Sequence, residues 1–115
     1  MTIDDVRRCL CENNIDESGC RINPAGRRCG AIDLFELKPQ QWVVRRDDRG
    51  EEGLVKVFDS EDEACREYLW IVLSEPTYRR NFKQKDLDNN EENVIPVLKK
   101  YGLPPIDYGT AHLSK

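Results

Sequence analysis

The sequence predicts an α+β fold, an antiparallel sheet of about four strands with helices packed on one face. Three observations carry that expectation. Apolar and β-branched runs of four to seven residues, separated by turn signals, fill the first half of the chain. A capping box then opens a long apolar stripe of helical period. The 115 residues suffice for one hydrophobic core, so residues 1–115 are expected to form a single domain.

Thr2 can cap a first helix, with Asp4 and Asp5 at its positive end and Ile3, Val6 and Leu10 as its stripe. Asn13-Asn14 closes it, and residues 15–19 read as a loop. Cys20-Arg21-Ile22-Asn23 reads as a short strand, followed by the turn signal Pro24-Ala25-Gly26-Arg27. Residues 31–37 form a second strand, closed by Lys38-Pro39. Residues 42–46 form a third and residues 54–58 a fourth, joined by a polar connection over Asp47 to Gly53. Consecutive strands with a short link pair antiparallel.

Ser60 stands three residues before Glu63, and acids crowd the first turn of the helix that follows. This helix should run to Ser74 or Glu75, before Pro76. Ala64, Cys65, Tyr68, Leu69, Ile71, Val72 and Leu73 cover one arc of it, to be buried against the sheet. Residues 76–90 are polar and carry no placeable element. Asn93 can cap a last helix with Pro96 in its first turn; Val94, Val97, Leu98 and Tyr101 form its stripe. Gly102 suits a left-handed stop, and Leu103-Pro104-Pro105-Ile106-Asp107-Tyr108 leaves as an extended tail.

Composition excludes several classes. The longest apolar run, around Tyr68 to Leu73, is too short to span a bilayer, so no membrane association is expected. The charged N-terminus lacks the apolar core of a secretory signal. Five cysteines without an export signal suit free thiols in a reducing compartment, so a cytoplasmic location is expected. Cys9, Cys11, Cys20 and Cys29 invite a zinc or redox-regulatory reading. However, Cys9 and Cys11 sit two apart on a predicted helix, about 160° around its axis, and cannot grip one ion. The one histidine, His112, stands on a polar tail. No nucleophile–base assembly, phosphate loop or paired general acid/base motif occurs, so the chain is expected not to be an enzyme. A cysteine-based zinc or redox-responsive regulatory module and a small enzyme with an unrecognised carboxylate site are the two alternatives. No metal or cofactor is expected. The paired bases Arg27-Arg28, Arg45-Arg46 and Arg79-Arg80 are outweighed by a pI of about 5.1, so no nucleic-acid partner is expected.

The net charge of -4 is unevenly distributed. Residues 47–75 hold 10 acids and 3 bases, net -7, while residues 1–46 carry +1 and residues 76–115 carry +2. Such a run is either a solvated hairpin and helix face or a negative patch that steers a basic partner. Trp70 falls with Glu63, Arg66, Glu67 and Ser74 on the helical wheel, opposite the apolar arc. It is an interface anchor, or it is covered by Pro104-Pro105-Ile106.

The block Trp42-Val43-Val44, Arg49-Gly50, Phe58-Asp59-Ser60-Glu61-Asp62-Glu63-Ala64-Cys65 and Tyr68-Leu69 resembles small bacterial immunity proteins encoded beside secreted or contact-dependent toxins. The resemblance covers residues 42–77, a third of the chain. It implies a non-enzymatic protein that binds one cognate toxin domain and blocks its active site or substrate access. It transfers no site residues. Combined with the charge pattern, it makes Asp47, Asp48, Glu51, Glu52, Glu61, Asp62, Glu67 and Trp70 the expected contact residues for that toxin domain.

Overall fold

The computed structural model describes residues 1–13, 15, 19–26, 30–48, 51–74 and 94–105, with residues 47, 48, 51, 52 and 54 described by backbone position alone. Cys29, Arg49-Gly50, residues 76–90, the Asn93 cap, the tail from Ile106 and His112 lie outside them.

Helix α1 spans Ile3–Glu12. Thr2 Oγ1 accepts from the Asp5 N–H at 3.3 Å, and the Asp5 carboxylate accepts from the Thr2 N–H at 2.9 Å. This reciprocal box satisfies two donors that a helix start leaves open. Val6, Cys9 and Leu10 form the buried face of α1.

Four strands follow: β1 at Cys20–Ile22, β2 at Ile32–Lys38, β3 at Gln41–Asp48 and β4 at Glu51–Phe58. They lie in the order β1-β2-β3-β4, with β2–β3 and β3–β4 antiparallel. The architecture is α+β, as expected.

Two details differ from the expectation. First, β1 pairs with β2 in parallel, Cys20 beside Ile32 and Ile22 beside Leu34. The chain turns at Asn23, whose φ of 49° is left-handed, and the Asn23 N–H donates to Leu34 O at 2.8 Å. A parallel return normally needs a longer crossover. Here β1 is so short that the chain must travel back only about 10 Å. Second, the polar connection expected over Asp47 to Gly53 instead continues the β3–β4 ladder, with Asp47 opposite Glu52 and Asp48 opposite Glu51. Arg46 pairs with Leu54, so Gly53 is the extra residue of a bulge. The ladder already set between Val43–Arg46 and Leu54–Val57 carries these poor strand formers with it.

Helix α2 spans Glu61–Ser74. Ser60 Oγ accepts from the Glu63 N–H at 3.3 Å. All seven residues of the expected apolar arc are buried, and α2 packs across β2, β3 and β4. Helix α3 spans Ile95–Lys100, with Pro96 in its first turn. Gly102 takes the left-handed stop at φ 67°.

The core joins Val6, Cys9 and Leu10 to Ile32, Leu34 and Val44 and to the buried side of α2, with Val94, Val97, Leu98 and Leu103 completing it. Tyr68 is fully buried among them, its hydroxyl near the carbonyls of Arg21 and Ile32 at 3.4 Å. Strand alternation sends Asp33, Phe35, Leu37, Val43, Arg45, Val55 and Val57 to the other face of the sheet. Three of these, Leu37, Val55 and Val57, are exposed.

Candidate docking surfaces

The acids of the middle third fall into two groups. Asp47, Asp48, Glu51 and Glu52 occupy two facing register pairs at the end of the β3–β4 hairpin. Like charges placed opposite each other on neighbouring strands are unfavourable. The only cation of residues 47–53 is Arg49.

The acids of α2 are engaged inside the molecule. Glu61 Oε2 accepts from the Ile3 N–H at 2.9 Å. The Asp62 carboxylate accepts from the Met1 ammonium and from Arg66 Nε, the latter at 3.1 Å. The ammonium first, and Arg66 after it, holds the Asp62 carboxyl below its ordinary value. Glu67 Oε2 accepts from Lys56 Nζ at 2.7 Å. Glu61 and Asp62 thus dock the start of α1 onto the start of α2, and Glu67 ties α2 to β4. Glu63 is exposed and forms no ion pair among the described residues.

Trp70 is half-buried and rests against the core. Its Nε1–H donates to Pro104 O at 3.1 Å, so the segment after α3 does lie against it. Part of the indole still borders an open groove of about 460 Å³, lined by Phe58, Glu63, Arg66, Glu67, Trp70 and Pro104. The structure therefore brings Glu67 and Trp70 together at one groove. It places the four hairpin acids elsewhere, at the far end of β4 from Phe58.

The sequence reading passed over the cluster at Asp33. This carboxylate is fully buried and accepts from Arg21 Nε at 2.8 Å, Arg21 Nη2 at 3.0 Å and Arg45 Nη2 at 2.8 Å. Arg45 also stacks 4.8 Å from the Phe35 ring centroid, and its buried Nε–H finds no acceptor among the described residues. The only signal in the sequence was an acid within the apolar run Ile32-Asp33-Leu34, which would call for a paired cation or hydrogen-bond donors if it were buried.

The thiols follow helix geometry. Cys9 is buried and Cys11 is exposed, on different sides of α1. Cys20 and Cys65 are buried. Burial pushes the Cys9 thiol up to about 11 and the Cys65 thiol up to about 12. Cys11 and Cys20 border a crevice with Arg7 and Arg21. No group of three metal-ligating side chains occurs among the described residues, and no helix among them is long and apolar enough to cross a membrane. Comparison with family models, curated proteins and solved structures finds no match.

Proposed function

We propose that the chain is an immunity-type protein that binds a cognate bacterial toxin domain in the cytoplasm and neutralises it through a protein–protein interface. It acts without a cofactor and is not an enzyme. The reading rests on one observation above all: four acids in two facing register pairs end the β3–β4 hairpin. Like charges set opposite one another along a ladder would gain from a basic partner that brings counter-charge to them. Concentrated charge also speeds encounter with a basic cleft. The resemblance of residues 42–77 to immunity proteins supplies the class of partner.

Co-purification with the product of the adjacent gene identifies the partner. Glu51→Lys and Glu52→Lys together should then slow association by roughly tenfold at low ionic strength and flatten its salt dependence. An unchanged on-rate at low salt removes the electrostatic basis of this reading.

A further inference from the structure

We propose that the groove between Phe58, Trp70 and Pro104 receives an arginine side chain of a partner protein. The inference rests on the docking reading in one respect, that the occupant is a protein.

Glu63, Arg66, Glu67 and Trp70 stand at i, i+3, i+4 and i+7 of α2 and form one stripe on its outer side. Phe58, the last residue of β4, forms one wall of the groove and Pro104 the other. Two bonds fix the Pro104 wall: Trp70 Nε1–H to Pro104 O, and Arg66 Nη1 to Gly102 O at 2.9 Å. The indole has no further polar hydrogen, so it offers an occupant the face of its ring. Phe58 offers only a ring as well.

The charged groups at the rim differ in what they have left to give. Arg66 directs Nε to both oxygens of Asp62 and Nη1 to Gly102. Glu67 gives one oxygen to Lys56. Glu63 is exposed and forms no ion pair among the described residues. The uncommitted charge at the groove is therefore negative.

An aromatic floor beside a free carboxylate suits a flat cation. A guanidinium stacks on an indole and forks onto a carboxylate at the same time. An ammonium is a strongly hydrated point charge and loses the stacking half of that arrangement. A purely apolar occupant would strip water from Glu63 and return nothing.

The test uses the full chain and two blocked tripeptides, acetyl-Gly-Arg-Gly-amide and its citrulline counterpart, which is neutral and nearly the same shape. The indole N–H resonance of Trp70, assigned through Trp70→Phe, is followed by NMR, with that of Trp42 as internal control. The arginine peptide should shift the Trp70 signal saturably in the millimolar range and leave Trp42 in place. Citrulline, and separately Glu63→Gln, should each weaken binding roughly fivefold, whereas Glu36→Gln should not. Equal shifts from both peptides would overturn the proposal. So would the absence of a saturable shift in a folded spectrum, or a proline tripeptide that binds in place of the arginine one. None of these outcomes alters the on-rate test at Glu51 and Glu52, so the groove and the docking reading stand or fall separately.

Discussion

Asp33→Asn should be among the most destabilising single changes of one polar residue in this chain. The carboxylate is fully buried, and three guanidinium N–H groups converge on it within 3.0 Å. The substitution removes the negative charge and leaves two guanidiniums side by side, facing an amide that can accept far less than a carboxylate. Breaking a buried ion pair from one side costs about 3–5 kcal/mol. Arg21 and Arg45 each keep 18% side-chain exposure and so recover some hydration, which points to the lower end, about 3 kcal/mol. With an m-value of about 1.5 kcal/mol/M, the urea midpoint should fall by about 2 M. Far-ultraviolet circular dichroism against urea measures it. A loss below about 1 kcal/mol with an unchanged m-value would refute the argument that this carboxylate holds the cluster together. A companion variant sharpens the point. Arg21→Met, Asp33→Leu and Arg45→Met combined should lie within about 1–2 kcal/mol of the parent, because all three desolvated charges leave together. The Arg45 Nε–H, which finds no acceptor among the described residues, leaves with them.

Thr2→Ala breaks the box at the start of α1 and should lower stability by about 1 kcal/mol, read as a lower thermal midpoint. A change within error would show that Asp5 caps the helix unaided. In native protein, iodoacetamide should label Cys11 well before Cys9, Cys20 or Cys65, as mapped by mass spectrometry. Comparable labelling of Cys9 would contradict its burial and raised pKa. Acid should destabilise the fold in a defined window. Bonds from the Thr2 N–H, Lys100 and the N-terminal ammonium respectively hold Asp5, Glu12 and Asp62 below their ordinary values of 3.8, 4.5 and 3.8. These groups contribute in full above those values and lose their contribution as pH falls through the lower native ones. The urea midpoint should therefore stay level from neutral pH down to the region of pH 4.5 and decline below it. Glu12→Gln should shallow the decline, and an identical slope in that variant would count against the assignment.

Helix α2 was legible because several local signals agree: Ser60 with Glu63, an acidic first turn, and an apolar arc whose seven residues are all buried. Gly102 was legible because a left-handed stop has few candidates. The direction of β1 was not, since three residues carry no mark of parallel or antiparallel pairing. The length of the hairpin was not, since Asp, Glu and Gly are weak strand formers and only the neighbouring ladder recruits them. Asp33 was hidden for a related reason. Its cations lie 12 residues away on either side, and only the sheet brings Arg21 and Arg45 to it. Trp70 was placed off the apolar arc with Pro104-Pro105-Ile106 as a candidate cover, yet helical spacing alone could not decide between that cover and a free anchor.

Counting charge by segment treats all carboxylates of residues 47–75 as one population, and the structure separates them. On α2, Glu61, Asp62 and Glu67 meet the Ile3 N–H, the Met1 ammonium with Arg66, and Lys56. Opposed charges this close cancel at the distances over which a partner is steered, because the field outside about 10 Å sees only their sum. Their bonds join α1 to α2 and α2 to β4, so they act on stability. The hairpin acids stand opposite one another in register, with Arg46 and Arg49 as their nearest cations in sequence, and under the proposed function they act on the external field. The two groups should therefore respond in opposite ways to the same substitution. Glu61→Gln should lower stability, by less than about 1 kcal/mol for a partly exposed bond, and leave partner association almost unchanged. Glu52→Gln should leave stability level or slightly raised, by relief of its pairing with Asp47, and slow association. If instead Glu61→Gln slowed association as much as Glu52→Gln, the partner would be reading the helix as well as the hairpin end. The division of the acids into structural and steering groups would then fail.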